Sequence, residues 1–416
     1  MVDSILKFAN DLGYGAVKYK TSKVDEKNGG LLREPDKLPS VIAIEREQDI
    51  PSPIEFDNND QKDQYMNNFL DHMDVTISSS SVKTQGRFLI GKAAVESRLP
   101  LEQFDINDLV GKAKNDLSLI LSLSTIAANR VKEAYINGED LNETLKATVY
   151  MATALPVTEV KRNGIRDEYR DRYLNATHTV TFHNFVNPIN VSIKFKKVYV
   201  AVEGETAQMF ISFTKDKQFL SSLEKEYKNQ YPDLAKKKPL NVILRSKNTI
   251  SIDIGAGTTD VNVIINGRAN ANISVSVPYG YGSVLEDAVD VLQEKGYPIS
   301  NRAQLEDFLK DDDPLGEDRR KRVEKVVKEQ YETLSDRIVA AVSRALRKSG
   351  AFVQALSVSG GGSIPMANSL LRRKLMEKIN SYSGGIEDIP VLWIPAPYAQ
   401  NMNFNGLEIV ADHLSE

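Results

Sequence analysis

The chain of 416 residues contains no cysteine and only four histidines. Without cysteine there is no disulfide, no cysteine-ligated zinc and no thiol nucleophile. Four histidines leave little material for a histidine-rich metal centre. The lack of thiols agrees with a reducing compartment, and a cytoplasmic location is the expectation. No apolar segment of signal-peptide length stands at the N-terminus, and no run approaches the roughly 18 apolar residues that argue for a membrane span. Neither export nor membrane attachment is therefore expected. An excess of positive charge is also lacking. The formal net charge is −4, which gives no overall attraction to nucleic acid. Direct nucleic-acid binding is not expected, and any role on DNA would need a local patch or an adaptor protein. What is present, 41% hydrophobic and 26% charged residues, is ordinary for a soluble globular protein. The length exceeds one compact core and fits two lobes of about 150–200 residues.

The most informative stretch runs from Thr249 to Val263, TISIDIGAGTTDVNV. A strand pattern (Ile250, Ile252, Ile254) leads into Asp253, Gly255, Ala256, Gly257, Thr258, Thr259 and Asp260. A second strand pattern (Val261, Val263, Ile265) leaves it and ends at the turn Asn266-Gly267. This bend suits a phosphate chain. Its glycines let the backbone approach closely, and their N–H groups, with the threonine hydroxyls, can bind phosphate oxygens. Asp253 can face a hydrated Mg²⁺. An ordinary glycine-rich hairpin has the same local pattern, but the chain carries the pattern twice. In Leu6–Tyr19, LKFANDLGYGAVKY, Asp11 is followed by Gly13, Tyr14 and Gly15, again between strand-like residues. Lys18 follows and, in a hairpin, returns towards the turn, where it can place an ammonium on phosphates. Two such hairpins far apart in the chain imply an internal duplication, with two related lobes facing a shared cleft.

Elsewhere the pattern predicts a hairpin over 5–20, then polar, irregular chain over 21–85, a small variable insertion rather than a core. Arg87–Ala94 reads as strand, glycine turn and helix start. Residues 107–137 carry helical spacing (Leu109, Leu117, Ile120, Leu121, Ile126). Residues 144–155 fit a buried strand that stops at Pro156. Residues 161–175 are charge-rich and read as a solvated connector, and 180–213 as several strands. A helix over 216–239 ends in Lys236-Lys237-Lys238-Pro239, read as a solvated loop, with a filament or adaptor contact as the other option. Gly280 and Gly282 precede a helix over 284–295. A long charged helix over about 317–348 stops at Gly350. A strand then runs into Gly360, Gly361, Gly362 and Ser363, a run of glycines longer than a tight turn requires. Backbone packed close to a ligand beside a helix start is a nucleotide-binding arrangement. A strand bounded by Pro390 and Pro397 follows, and Asn405-Gly406 opens the final helix.

As a set, Asp11-x-Gly13-x-Gly15 with Lys18, Asp253-x-Gly255-x-Gly257-Thr258-Thr259-Asp260, and Gly360-Gly361-Gly362 resemble the two phosphate motifs and the adenosine motif of the actin-like ATPase superfamily. Within it the chain resembles the ParM-type bacterial actins that segregate plasmids. Leu155-Pro156-Val157-Thr158-Glu159 is similar to that family's connector between lobes, and Pro397-Tyr398-Ala399-Gln400-Asn401 with Gly406 to its closing segment. Asn10, just before the first motif, is more polar than the usual residue there.

The resemblance implies an α/β fold: a duplicated two-lobe actin/ribonuclease-H-like architecture, mixed sheets flanked by helices, and an interlobe nucleotide cleft. Lobe I is expected over 1–160, with an insertion at about 21–100. Lobe II is expected over 161–390, with a helical subdomain at about 284–350, and 391–416 returns to lobe I. The implied activity is Mg²⁺-dependent hydrolysis of ATP, with GTP as an alternative. Lys18 and the two hairpins (Gly13, Tyr14, Gly15; Gly255, Ala256, Gly257, Thr258, Thr259) would hold the phosphates. Asp11 and Asp253 would hold Mg²⁺ through water, and Glu159 would polarise the attacking water. Gly280 and Gly282 would let a loop approach the nucleotide, Gly360 to Ser363 would pack on the adenosine, and Glu286 is a candidate base contact. The implied function is a filament that polymerises with triphosphate, with itself and a ParR-type DNA-binding adaptor as partners, and moves or segregates plasmid DNA. The rival readings are a non-segregating actin-like scaffold, a small-molecule kinase of the same superfamily, for which no clear sugar-site motif is found, and a chaperone ATPase, for which no substrate-binding domain follows.

Overall fold

Alternation of apolar and polar residues, interrupted by glycine turns, produces two sheets in this protein, and each belongs to its own unit of the chain. The structure, a computed structural model, describes residues 3–26, 28–105, 110–311, 313–349, 353–383 and 388–414. One unit comprises Met1–Leu155, Arg162–Ala201 and Phe404–Glu416; the other comprises Pro156–Lys161 and Val202–Asn403.

The first unit holds strands β1 (Asp3–Leu12), β2 (Ala16–Lys23), β3 (Asp36–Pro39), β4 (Val41–Glu45), β5 (Asp74–Ser78), β6 (Arg87–Ile90), β7 (Leu101–Gln103), β8 (Leu145–Leu155), β9 (His178–Phe182) and β10 (Ile189–Val202). They form one mixed sheet in the order β3-β2-β1-β8-β10-β9-β5-β6-β4-β7. β1 pairs antiparallel with β2 across the Gly13–Gly15 turn and parallel with β8. A parallel neighbour requires a crossover, and the helix Asp116–Ile136 supplies it. Asn115 caps that helix by accepting from the Leu117 N–H. Leu119, Leu123, Ile126 and Ala127 of the helix are wholly buried.

The second unit holds β11 (Thr249–Ile254), β12 (Thr259–Ile265), β13 (Arg268–Ala269), β14 (Val275–Val277), β15 (Ala355–Ser359) and β16 (Val391–Trp393). Their order is β13-β12-β11-β15-β16, with β14 beside β12. Ile250, Ile252, Ile254, Val261, Val263, Leu356 and Val358 line one buried face, packed with apolar residues of the helices Tyr281–Glu294, Tyr331–Ser349 and Leu370–Ser383. Asn266 and Gly267 both have positive φ, as a two-residue type I′ turn requires, and join β12 to β13. The local plan of β1-β2-β8 recurs in β11-β12-β15: a hairpin whose first strand lies parallel to a strand that follows a long helix.

Several sequence expectations are corrected. Residues 21–85 are not irregular chain: β3, β4 and β5 join the main sheet, and Phe69, Met73 and Val75 are fully buried. The 161–175 connector contains the helix Ile165–Leu174, which buries Tyr169 and Tyr173 and anchors Arg166 on Val200 O and Arg172 on Ala113 O. Within 180–213, Glu205–Phe213 is a helix, not a strand. The 317–348 helix is two, Glu317–Glu329 and Tyr331–Ser349. The helix expected from 107 begins at Asp116, and the last helix begins at Met402, ahead of Asn405-Gly406. Leu109 and Gly350 lie outside the described residues. The stretch Arg162–Ala201 groups with the first unit because β9 and β10 extend its sheet.

Two predictions concern stability. Arg130 is fully buried; its Nε donates to Lys146 O on β8 (3.0 Å), and its guanidinium holds Glu139 through both terminal nitrogens. Arg130→Met removes one partner of a largely buried pair, so chemical denaturation is expected to show a loss of about 3 kcal/mol. Glu408, beneath the last helix, has its pKa pushed up to about 7 by burial, against a weaker opposing pull from Arg33. A folded pKa above the unfolded value contributes stability that is complete below about 4.5 and is lost as pH rises through about 7. Glu408→Gln should therefore gain stability over the wild type at pH 8.5 and show no gain at pH 4.5, read by urea denaturation at both.

Candidate functional site

Each acid-x-Gly-x-Gly hairpin stands at the end of a buried strand, and each is tied down by neighbours outside it. In the first unit Asp11 lies directly across from Lys18 in the β1-β2 register, with Lys18 Nζ 3.9 Å from Asp11 Oδ2. The turn between them is closed by the Gly13 N–H, shared between Asp11 O and Ala16 O. A Cβ at Gly13 would sit 2.7 Å from Ala16 O, so the position excludes a side chain. Ser40 fastens the outside of the turn: its Oγ donates to Gly13 O (2.7 Å) and its N–H to Gly15 O. Gly15 itself meets nothing within 4 Å where a Cβ would stand. Tyr14 packs edge-on to Phe104, with Lys112 Nζ 4.4 Å above its ring centroid. Asn10, the polar residue before the motif, is wholly buried and donates to Ser122 Oγ.

In the second unit three successive carbonyls of the hairpin turn are occupied by the protein. Ile254 O accepts from Gly362 N, Gly255 O from Tyr281 N, and Ala256 O from Gly282 N (2.7–2.9 Å). The Gly255 N–H closes the turn on Thr258 O. The amides of Ala256, Gly257 and Thr258 make no backbone hydrogen bond among the described residues. Thr259 Oγ1 donates to Tyr279 O, and Thr258 Oγ1 to Asp260 Oδ2. The result is a run of N–H groups with their carbonyls turned into the protein, which is an anion-binding arrangement. The helix Tyr281–Glu294 begins against this turn, and its dipole adds positive potential there.

Asp253 Oδ2 accepts from Asn403 Nδ2 (2.6 Å), whose Oδ1 in turn accepts from Gly204 N and Thr206 Oγ1. Asp253 is thus oriented by a residue 150 positions later in the chain. Gly360 packs directly on that carboxylate: it has φ +90°, and a Cβ there would lie 2.2 Å from Asp253 Oδ1. Gly362 packs on Ile254 and Tyr281, while Gly361 faces Gln400. Ser363 is fully buried, its hydroxyl donating to Gly360 O and its carbonyl accepting from Trp393 Nε1. Gly280 and Gly282 are explained within the fold, since a Cβ at either would strike Ala256 O. Glu286 is exposed on the next turn of its helix.

Glu159 lies in the short helix Val157–Val160 that follows Pro156 and is only 4% exposed. A buried carboxylate is not the surface ion-pair group that a connector glutamate would ordinarily be. Two residues on, Lys161 Nζ donates to Ser274 O (2.8 Å), and burial, helped by Lys348, lowers its pKa.

The structure therefore gathers Asp11, Gly13, Tyr14, Gly15 and Lys18 on one unit and Asp253 to Thr259, Gly280, Gly282 and Gly360 to Ser363 on the other. Ser40, Asn403 and Gln400 were not identified from sequence. Asn403 lies inside the closing segment already singled out, but nothing in the local pattern marks its contact with Asp253. The donor set fits a hydrated Mg²⁺ with phosphate: two carboxylates as hard oxygen donors, one lysine and outward amides.

The glycines separate by experiment. Gly360→Ala forces a left-handed residue and a clash with Asp253, and should lower stability by about 2–4 kcal/mol. Gly15→Ala, with open space around it, should leave the melting temperature within about a degree while weakening nucleotide binding. Thermal melts with and without nucleotide, compared across the two variants, test this.

Residues 9–205 match the family model described as the N-terminal domain of actin-like proteins, and 251–372 that of the C-terminal domain of the archaeal MreB-like actin homologue. The solved structure of the actin-like protein Alp7A aligns with a TM-score of 0.64 at 16% identity, covering 98% of this chain and 96% of that one. ParM of Bacillus thuringiensis with ATP gives 0.57 at 15%, covering 98% of both, and the archaeal actin homologue Ta0583 gives 0.56 at 16%, covering 98% and 99%. The same ParM has also been solved with ADP and with AMPPNP. No curated protein sequence matches. At these identities the structural likeness is one of fold, and it agrees with the two domain matches and the duplicated hairpins. By these findings the chain belongs to the actin-like ATPase family.

Proposed function

We propose that this protein binds ATP, or GTP, with Mg²⁺ at its two glycine hairpins, hydrolyses it, and couples that cycle to polymerisation into a filament that moves or segregates plasmid DNA through a ParR-type DNA-binding adaptor in a bacterial cytoplasm. The observation that carries the nucleotide part is the backbone of the hairpin at Asp253. Its carbonyls are satisfied by Gly362, Tyr281 and Gly282, and its amides are left to an anion. The hairpin at Asp11 repeats the device, with Ser40 taking the carbonyls of Gly13 and Gly15.

In this reading Lys18 and the hairpin amides neutralise the phosphates, and positioning with charge stabilisation supplies most of the rate. Bound Mg²⁺ would add charge neutralisation on the phosphate oxygens. Asp11 and Asp253 would hold it through water, with Asn403 fixing the orientation of Asp253. Glu159, withdrawn from solvent, would orient and deprotonate the attacking water. Gly361, beside Gln400, would lie under the adenosine. The family is one of filament-forming ATPases, and head-to-tail contacts that do not close generate such polymers. The net charge of −4 agrees with reaching DNA through an adaptor.

High-speed pelleting with ATP and Mg²⁺, paired with a phosphate-release assay, tests the proposal. Polymer that appears with triphosphate and disappears after turnover is the expected result, and absence of pelletable protein with every nucleotide would overturn it. Glu159→Gln should lower phosphate release at least about 10²-fold while nucleotide-dependent pelleting persists. Unchanged release would remove Glu159 from the chemistry.

A further inference from the structure

Away from the hairpins, the second unit carries two unexplained features. One is a groove of about 290 Å³ beside the helix Lys217–Gln230. Trp393 and Ile364 give it apolar walls, Asn368 stands at its edge, and Lys225 and Arg372 give it positive charge. Arg372 lies 5.6 Å from the Trp393 ring centroid and engages Glu226 through Nη2, but its buried Nε has no hydrogen-bond partner. An acceptor brought into the groove would satisfy it.

The other is Leu315, 96% exposed at the tip of the single turn Pro314–Gly316. This leucine is held out rigidly. Asp313 Oδ1 accepts its N–H (3.0 Å), Pro314 fixes the chain before it, and Arg320 ties the base of the turn to Asp311 O. Behind the turn, Arg319 stacks over Tyr297 and Phe308. Asp311, Asp313, Glu317 and Asp318 surround the leucine, and no basic residue lies between Asp313 and Asp318. An apolar tip in an acidic collar thus matches an apolar groove with a basic rim.

We infer that the groove is filled by the Leu315 turn of a second copy of this chain. The inference rests on the filament reading above. Each copy offers one tip and one groove, so the contact is heterologous and propagates head to tail. Carboxylates of the collar would approach Lys225 and the Arg372 Nε as the leucine enters against Trp393 and Ile364. Complementary charge of this kind steers encounter and fixes register.

The absence of native cysteine permits a direct test. Single-cysteine variants Leu315→Cys and Asn368→Cys, mixed with nucleotide and Mg²⁺ under mild oxidation, should give a disulfide-linked heterodimer. Its yield should be at least tenfold that of a control mixture of Leu315→Cys with Val186→Cys, an exposed apolar position on the other unit. Equal yields from the two mixtures would overturn the contact. Leu315→Asp should raise the critical concentration for pelleting at least tenfold without changing nucleotide binding, and pelleting at the wild-type concentration would also overturn it. If the wild type never pellets, the filament reading fails, while the cross-linking still decides the contact.

Discussion

Three hydrogen bonds to consecutive carbonyls hold the rest of the second unit's site in place. Once Ile254, Gly255 and Ala256 accept from Gly362, Tyr281 and Gly282, the peptide planes of the hairpin are set. Their opposite edges then face away from the protein as N–H groups. The donors come from two other elements, the glycine run after β15 and the start of the helix Tyr281–Glu294. Close approach of three backbones leaves no room for side chains, which is why Gly280, Gly282, Gly360 and Gly362 all lack them. These four glycines are read most directly as packing residues that let an anion site be built before an anion arrives. Preorganisation of this kind avoids paying an ordering cost at binding.

The same constraint separates what the sequence reveals from what it hides. The hairpins are legible because an acid and spaced glycines interrupt a period-two apolar pattern, and both observed strand pairs follow it. Ser40 and Asn403 are not legible, because their contacts span 27 and 150 positions and leave no local trace. The helix Ile165–Leu174 is disguised by its charge. Arg166 and Arg172 read as solvated, yet both spend their guanidinium groups on backbone carbonyls of neighbouring elements while Tyr169 and Tyr173 point inward. The helix Glu205–Phe213 is disguised by Thr206, Phe210, Ile211 and Phe213, whose strand-like character is overridden by packing against β11. Residues 21–85 mislead for a third reason: their strands are short and separated by polar loops, so each is too brief to show a period.

The duplication explains one more feature. Parallel pairing aligns Asn10 with Thr153 on β8 and Asp253 with Ser359 on β15. The chain just beyond β8 and the chain just beyond β15 therefore occupy equivalent places beside their hairpins. After β15 the chain supplies three glycines, one of which touches the Asp253 carboxylate. After β8 it supplies Pro156 and a single turn of helix that buries Glu159. The proline halts the strand and pre-sets the turn. One copy of the motif has thus kept backbone at this place, while the other has put a carboxylate there. Two identical copies would give a symmetric cradle able to bind phosphate but without a group to move a proton. In the proposed mechanism, the chemistry follows from this single difference between otherwise repeated halves, with the hairpins binding and Glu159 acting on water.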